Sequence, residues 1–123
     1  GLTHYAIDIH GCRYRNWLPS GDAVSAPAEE TLVKPLQIPL EALIPQGVDN
    51  LLIGGKAMAT THIANASTRI HYGEWQTGAA AGVTAGWLVG PGAPVKDPSQ
   101  ILPQGHMPSL QAFMVHQGLK LTW

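Results

Sequence analysis

Three groups of residues in this chain are of types that do chemistry. Asp8 and His10 stand two apart, an acid and an imidazole that share one face of a strand running Thr3–His10. Such a pair can pass a proton or orient a ligand, and an ordinary solvated strand face would use the same residues with neither role. The second group lies in the polar run 58–72, where His62, Arg69 and His71 stand among Thr60, Thr61, Asn65, Ser67 and Thr68. An imidazole titrates near neutral pH, so these residues are candidates for substrate contact or proton transfer, with loop hydrogen bonding as the plainer account. The third is Gly54-Gly55-Lys56, a glycine pair that lets backbone N–H groups come close to a ligand, followed by a cation. A tight turn after a core strand would have the same composition. The six histidines include no His-x3-His pair and Cys12 is the single cysteine, so no metal site is expected.

These groups need elements to hold them. Tyr5, Ile7 and Ile9 alternate with Ala6, Asp8 and His10, which predicts a strand ended by Gly11. Residues 11–30 read as turn and loop, with Arg13, Tyr14, Arg15, Asn16 and Trp17 available for contacts. Thr31–Pro39 reads as an extended segment confined to an edge by its prolines, and Leu40–Ile44 as one helical turn after Pro39. Asn50–Gly55 is short, uniformly apolar and stops on two glycines, the pattern of a buried parallel strand. In open α/β sheets, ligands sit beyond such strand ends, which is where Gly54, Gly55 and Lys56 fall.

The long polar loop then leads to a helix predicted from about Gly73-Glu74 to Val89, with Gly90-Pro91-Gly92 as its stop. Gly78, Gly82 and Gly86 recur every four residues, so they form one stripe on that helix. Each costs roughly 0.5–1 kcal/mol relative to alanine in a helix interior. The compensation expected is close approach of a strand or a flat ligand to the bare face. Unpaired N–H groups in the first turn, at the positive end of the dipole, favour an electron-rich oxygen. Trp75 and Trp87 are expected to anchor the helix in a core. A last helix is predicted from Ser109, stopped by Gly118, with Leu110, Phe113 and Met114 as a stripe to cover a sheet edge. His116 on it carries no expected role.

Composition narrows the functional classes. With 123 residues the chain is one domain at most, and 7 Lys+Arg against 8 Asp+Glu, with no basic cluster, leave no field to hold nucleic acid. Ala79–Val95 is uncharged but too short and too rich in glycine and proline for a membrane span. A lone cysteine fits a reducing compartment, and a cytoplasmic location is expected. The chain opens on Gly1 in mid-pattern, as a piece of something longer would.

The ordered run Ile38-Pro39-Leu40-Glu41-Ala42-Leu43-Ile44-Pro45-Gln46-Gly47-Val48-Asp49-Asn50-Leu51-Leu52-Ile53-Gly54-Gly55-Lys56, then Thr61-His62, Ala66-Ser67-Thr68-Arg69 and Thr77-Gly78-Ala79-Ala80-Ala81-Gly82, resembles the C-terminal portion of FAD-dependent oxidoreductases related to the glutathione reductase and fumarate reductase flavoproteins. The Tyr5–His10 strand and the Ser109–Leu119 tail are similar to the flanking parts of such proteins.

The resemblance implies an α/β fold, α+β when isolated: the C-terminal portion of a two-dinucleotide-binding-type flavoprotein, with few strands, a glycine-striped helix and a short final helix. Residues 1–47 would then belong to the substrate or cap region, 48–90 to an FAD-facing strand-loop-helix, and 91–123 to the tail. It also implies FAD as cofactor. Gly54, Gly55 and Lys56 would lie near the ribityl-pyrophosphate, and the backbone N–H groups of Thr77, Gly78 and Ala79 would face the pyrimidine edge of the ring. Where the family commonly has a proline and aliphatic residues after the arginine, this chain has Ile70-His71-Tyr72-Gly73-Glu74-Trp75, a departure at the substrate-facing position.

No Gly-x-Gly-x-x-Gly unit occurs in the chain. The expected partners are therefore an N-terminal dinucleotide-binding portion of the same protein and a small-molecule substrate, with self-association through exposed apolar surface. The alternative is a self-standing, non-catalytic ligand- or protein-binding module on the same scaffold.

Overall fold

The computed structural model describes residues 1–5 and 34–122. Asp8, His10, the 13–17 run and Trp123 lie outside the described residues. Helix α2 (His71–Val89) is the axis of the fold, 19 residues long. At 1.5 Å per residue that is about 28 Å. It begins two residues before the predicted start and ends at the predicted residue, with Gly90 as its cap. Gly73, Thr77, Ala80, Ala81, Thr84 and Leu88 are its buried residues; their three- and four-residue spacings make one inward stripe.

Helix α3 (Met107–His116) packs on α2 and buries Leu110 and Met114. The expected role as a sheet-edge cover is thus replaced by helix-on-helix packing, because the apolar surface facing it is that of α2. Ile38, Leu40, Leu43, Met58, Val95 and Ile101 complete the core, with Ile101 and Leu110 fully buried. A side chain of that size is worth roughly 1.5–3 kcal/mol when removed from water.

The sheet of the described residues is small. Strand β1 (Leu2–Thr3) runs antiparallel to β2 (Leu36–Gln37), with Leu2 opposite Gln37 and Thr3 opposite Leu36. Pro35 and Pro39, which have no N–H to donate, bracket β2 and keep it short. The helical turn expected after Pro39 is present as a 3-10 turn, Leu40–Leu43, with both leucines buried.

Helix α1 (His62–Thr68) lies within the run read as a polar loop. Thr61 starts it, its side chain accepting the Ala64 N–H at 3.2 Å.

Three expectations change. Asn50–Gly55 is not a strand among the described residues: Asn50 lies in a turn, residues 51–54 form no ladder, Gly55 opens a 3-10 turn, and Leu51 is 42% exposed. A parallel strand needs strands beside it, whereas this segment is held by the Leu40–Leu43 turn, the Ile53 N–H donating to the Leu43 carbonyl at 2.8 Å. Trp75 does not anchor a core, being 79% exposed, while Trp87 is half-buried with its ring 6.5 Å from that of His106. Lastly, the Gly78, Gly82 and Gly86 stripe is exposed, a β-carbon on any of them would meet nothing within 4 Å, and among the described residues the close backbone approach expected along it occurs at Gly78, from Gly54. The inward face of α2 is taken by the alanines and threonines one position round the helix.

Candidate functional site

The 3-10 turn Gly55–Ala57, led by Gly54, lies against the first half of α2. Three consecutive residues of that segment meet three helix positions, 78, 77 and 74, that share one face. Gly54 approaches Gly78 so closely that a β-carbon on Gly54 would stand 3.3 Å from the Gly78 Cα. The Gly55 carbonyl accepts the Thr77 hydroxyl at 3.1 Å, shared with the Glu74 carbonyl at 2.9 Å. Gly55 has φ +73°, a left-handed conformation that favours glycine. The Glu74 side chain lies over it, with Cγ 3.6 Å from where a β-carbon would be.

Glu74 is the hub of the charges here. Its Oε2 is 3.5 Å from Lys56 Nζ and 3.3 Å from His71 Nδ1. The His71 hydrogen bond holds the Glu74 carboxyl below its ordinary range, with the Lys56 charge acting in the same direction and desolvation opposing. The residue was not among the sequence-derived candidates. Its signals were its place three residues after His71 and its position in a first helical turn, where an acid complements the dipole.

The structure therefore brings Gly54, Gly55, Lys56, Thr77 and Gly78 together, and His71 joins them through Glu74. Ala79 is exposed beside Gly78. His62 opens α1 and Arg69 caps its far end, the Arg69 N–H donating to the Asn65 carbonyl at 3.0 Å. The helix separates those two by about 10 Å along its axis at 1.5 Å per residue, while Arg69 stands two residues before His71.

The Glu74 N–H donates to the Ile70 carbonyl at 3.0 Å, so the N–H groups with no partner within α2 are those of His71, Tyr72 and Gly73. Those of Thr77, Gly78 and Ala79 belong to the helix interior and are engaged in its own ladder.

Gly73 seats α1 against α2, since a β-carbon there would collide with the Thr68 carbonyl. Beyond Gly54, a groove of about 370 Å³ continues along α2, lined by Asn50, Leu52, Ala81, Gly82, Leu88 and Lys96. Asn50, at φ 56°, opens that segment in the left-handed region, its N–H held by Asp97 Oδ2 at 3.1 Å. No helix among the described residues is long and apolar enough to cross a membrane, and no three metal-ligating side chains cluster among them.

The model of the FAD dependent oxidoreductase family matches residues 1–102, and the chain belongs to that family. No curated protein and no solved structure matches it.

Proposed function

We propose that this chain is the C-terminal part of an FAD-dependent oxidoreductase related to the glutathione reductase and fumarate reductase flavoproteins, and that it supplies the ring and ribityl side of the cofactor site. The observation that carries this reading is the convergence of Gly54, Gly55 and Lys56 on Glu74, Thr77 and Gly78 at the amino-terminal half of α2. The residues present suit such a group. Exposed Gly78 and Gly82, with only the Ala79 methyl beside them, leave a small-residue surface that a planar ring system can approach, and the Lys56 ammonium offers a charge to a phosphate.

FAD, when bound, supplies the hydride or single-electron chemistry. The chain's own residues bind and orient. Lys56 neutralises anionic oxygens, α2 turns its positive end and the backbone of Thr77, Gly78 and Ala79 toward the ring, and Thr77 holds the turn in place. His71, on the helix's first turn, and Arg69 before it contact substrate or move its proton, with His62 at the far end of α1 and the Asp8–His10 pair completing the catalytic set. The N-terminal dinucleotide-binding portion of the same protein holds the adenosine half, the substrate is a small molecule, and the isolated chain is inactive and self-associates through its exposed apolar surface. A cytoplasmic location belongs to the same reading.

The test is FAD titration followed by flavin fluorescence. The 123-residue chain alone is expected to bind weakly or not at all, and a protein joining it to a Gly-x-Gly-x-x-Gly portion to hold FAD stoichiometrically. In that joined protein, the Lys56→Met variant should release FAD more readily. Tight stoichiometric binding by the chain alone, or FAD retention indifferent to Lys56→Met, would overturn the reading.

A further inference from the structure

We propose that Glu74 is the positioning residue that sets the Gly54–Ala57 segment on α2, fixing where the Lys56 ammonium and the His71 imidazole stand; the inference deepens the functional reading above and rests on it for its consequence. Three residues, Gly55, Lys56 and His71, meet on this one side chain. Its Cγ and Oε1 lie 3.6 and 3.7 Å from the point a Gly55 β-carbon would occupy, and its Oε2 lies 3.5 Å from Lys56 Nζ and 3.3 Å from His71 Nδ1.

The arrangement places one carboxylate between side chains on separate elements. Lys56 is on the turn and His71 on the helix, so a single carboxylate ties the two together. Thr77 and Gly78 fix the turn at its Gly54-Gly55 end, and past it Met58 is buried and the Ala59 N–H donates to the Ala42 carbonyl at 2.8 Å. Between those two anchors, the Lys56 side chain is the part of the turn that Glu74 holds. Among the described residues, the titratable groups that face this carboxylate are His71 on its own helix and Lys56 on the packed turn.

An exposed ion pair contributes little to stability because water and salt screen it. What this pair does is select one rotamer of Lys56 and one orientation of His71, both of which the solvent would otherwise leave free. Substitution should therefore move the turn without unfolding the protein.

The experiment uses the 123-residue chain without flavin and follows backbone amide resonances of Gly55, Lys56 and Ala57 against pH. In the native chain these amides should show a titration step below the ordinary glutamate range, and Glu74→Gln should abolish the step while leaving the resonances of α3 in place. Glu74→Lys alone should displace the turn resonances, and the exchanged pair Lys56→Glu with Glu74→Lys should restore them toward their native positions. Turn amides that do not follow a carboxylate, or a Glu74→Lys chain whose turn resonances match the native ones, would overturn the proposal. Because no flavin is present, this result is independent of the FAD titration that tests the functional reading.

Discussion

Gly73, in the first turn of α2, lies directly against the Thr68 carbonyl at the end of α1, with no room between them for a β-carbon. The Thr3 hydroxyl is 3.3 Å from the same point and is itself fully buried. Gly73→Ala should therefore destabilise the chain by about 3 kcal/mol, at the upper end of what overpacking costs. The obstacle is backbone rather than a side chain that could turn aside. Urea denaturation of the two proteins side by side checks this, with a lowered midpoint and an unchanged slope expected.

Thr77 is 1% exposed, and its hydroxyl serves the Gly55 carbonyl. Thr77→Val keeps the shape and removes the donor, so the turn loses its tether at the Gly55 end. A loss of about 1 kcal/mol is expected. Amide hydrogen exchange should quicken at residues 55–57 and stay unchanged at Leu110 in α3.

Leu110 is fully buried among Ile101, Met114 and the inward stripe of α2. Leu110→Ala should cost about 3 kcal/mol through lost transfer energy and the cavity left behind. A thermal melt showing a midpoint equal to the native one would contradict the placement of α3.

Asp97 accepts the Ser99 hydroxyl, the Ser99 N–H and the Asn50 N–H, and in that order these hold its carboxyl below the usual 3.8, with desolvation opposing. A depressed folded-state pKa stabilises above the unfolded value and is lost as pH falls through the folded one. Asp97→Asn should thus be less stable than the native chain near neutral pH, with the gap closing as pH drops below ~4. Denaturation midpoints measured across that range read the effect directly.

The elements legible in the sequence were those whose signals are local. Val89 followed by Gly90-Pro91-Gly92 marks the end of α2, and Gly118, at φ +87°, stands just past α3. Pro39 ahead of the Leu40–Leu43 turn is of the same kind. Helix α1 was hidden because its sequence, HIANAST, mixes polar and β-branched residues that favour caps and loops; Thr61 as its cap was the available clue. The apolar Leu51-Leu52-Ile53 run misled because composition records what could be buried in a sheet and not whether a strand lies alongside.

The site divides in the same way. Gly54, Gly55 and Lys56 stood out in the sequence, read for ligand approach with a tight turn as the plainer account, and the structure shows a turn there against the first half of α2. The partner residue Glu74 was not visible, because its role depends on the distance between two elements rather than on spacing within one. The start of α2, read at Gly73-Glu74, lies two residues earlier at His71, since no capping side chain marks it.

The open glycine side of α2 has one more physical result. A surface made of backbone has no rotamers to freeze, so anything laid over Gly78, Gly82 and Gly86 is spared the roughly 0.5–1.5 kcal/mol that each ordered side chain costs on association. That part of the helix enters any contact already in its final shape, and the entropic toll of meeting it falls on the other body alone.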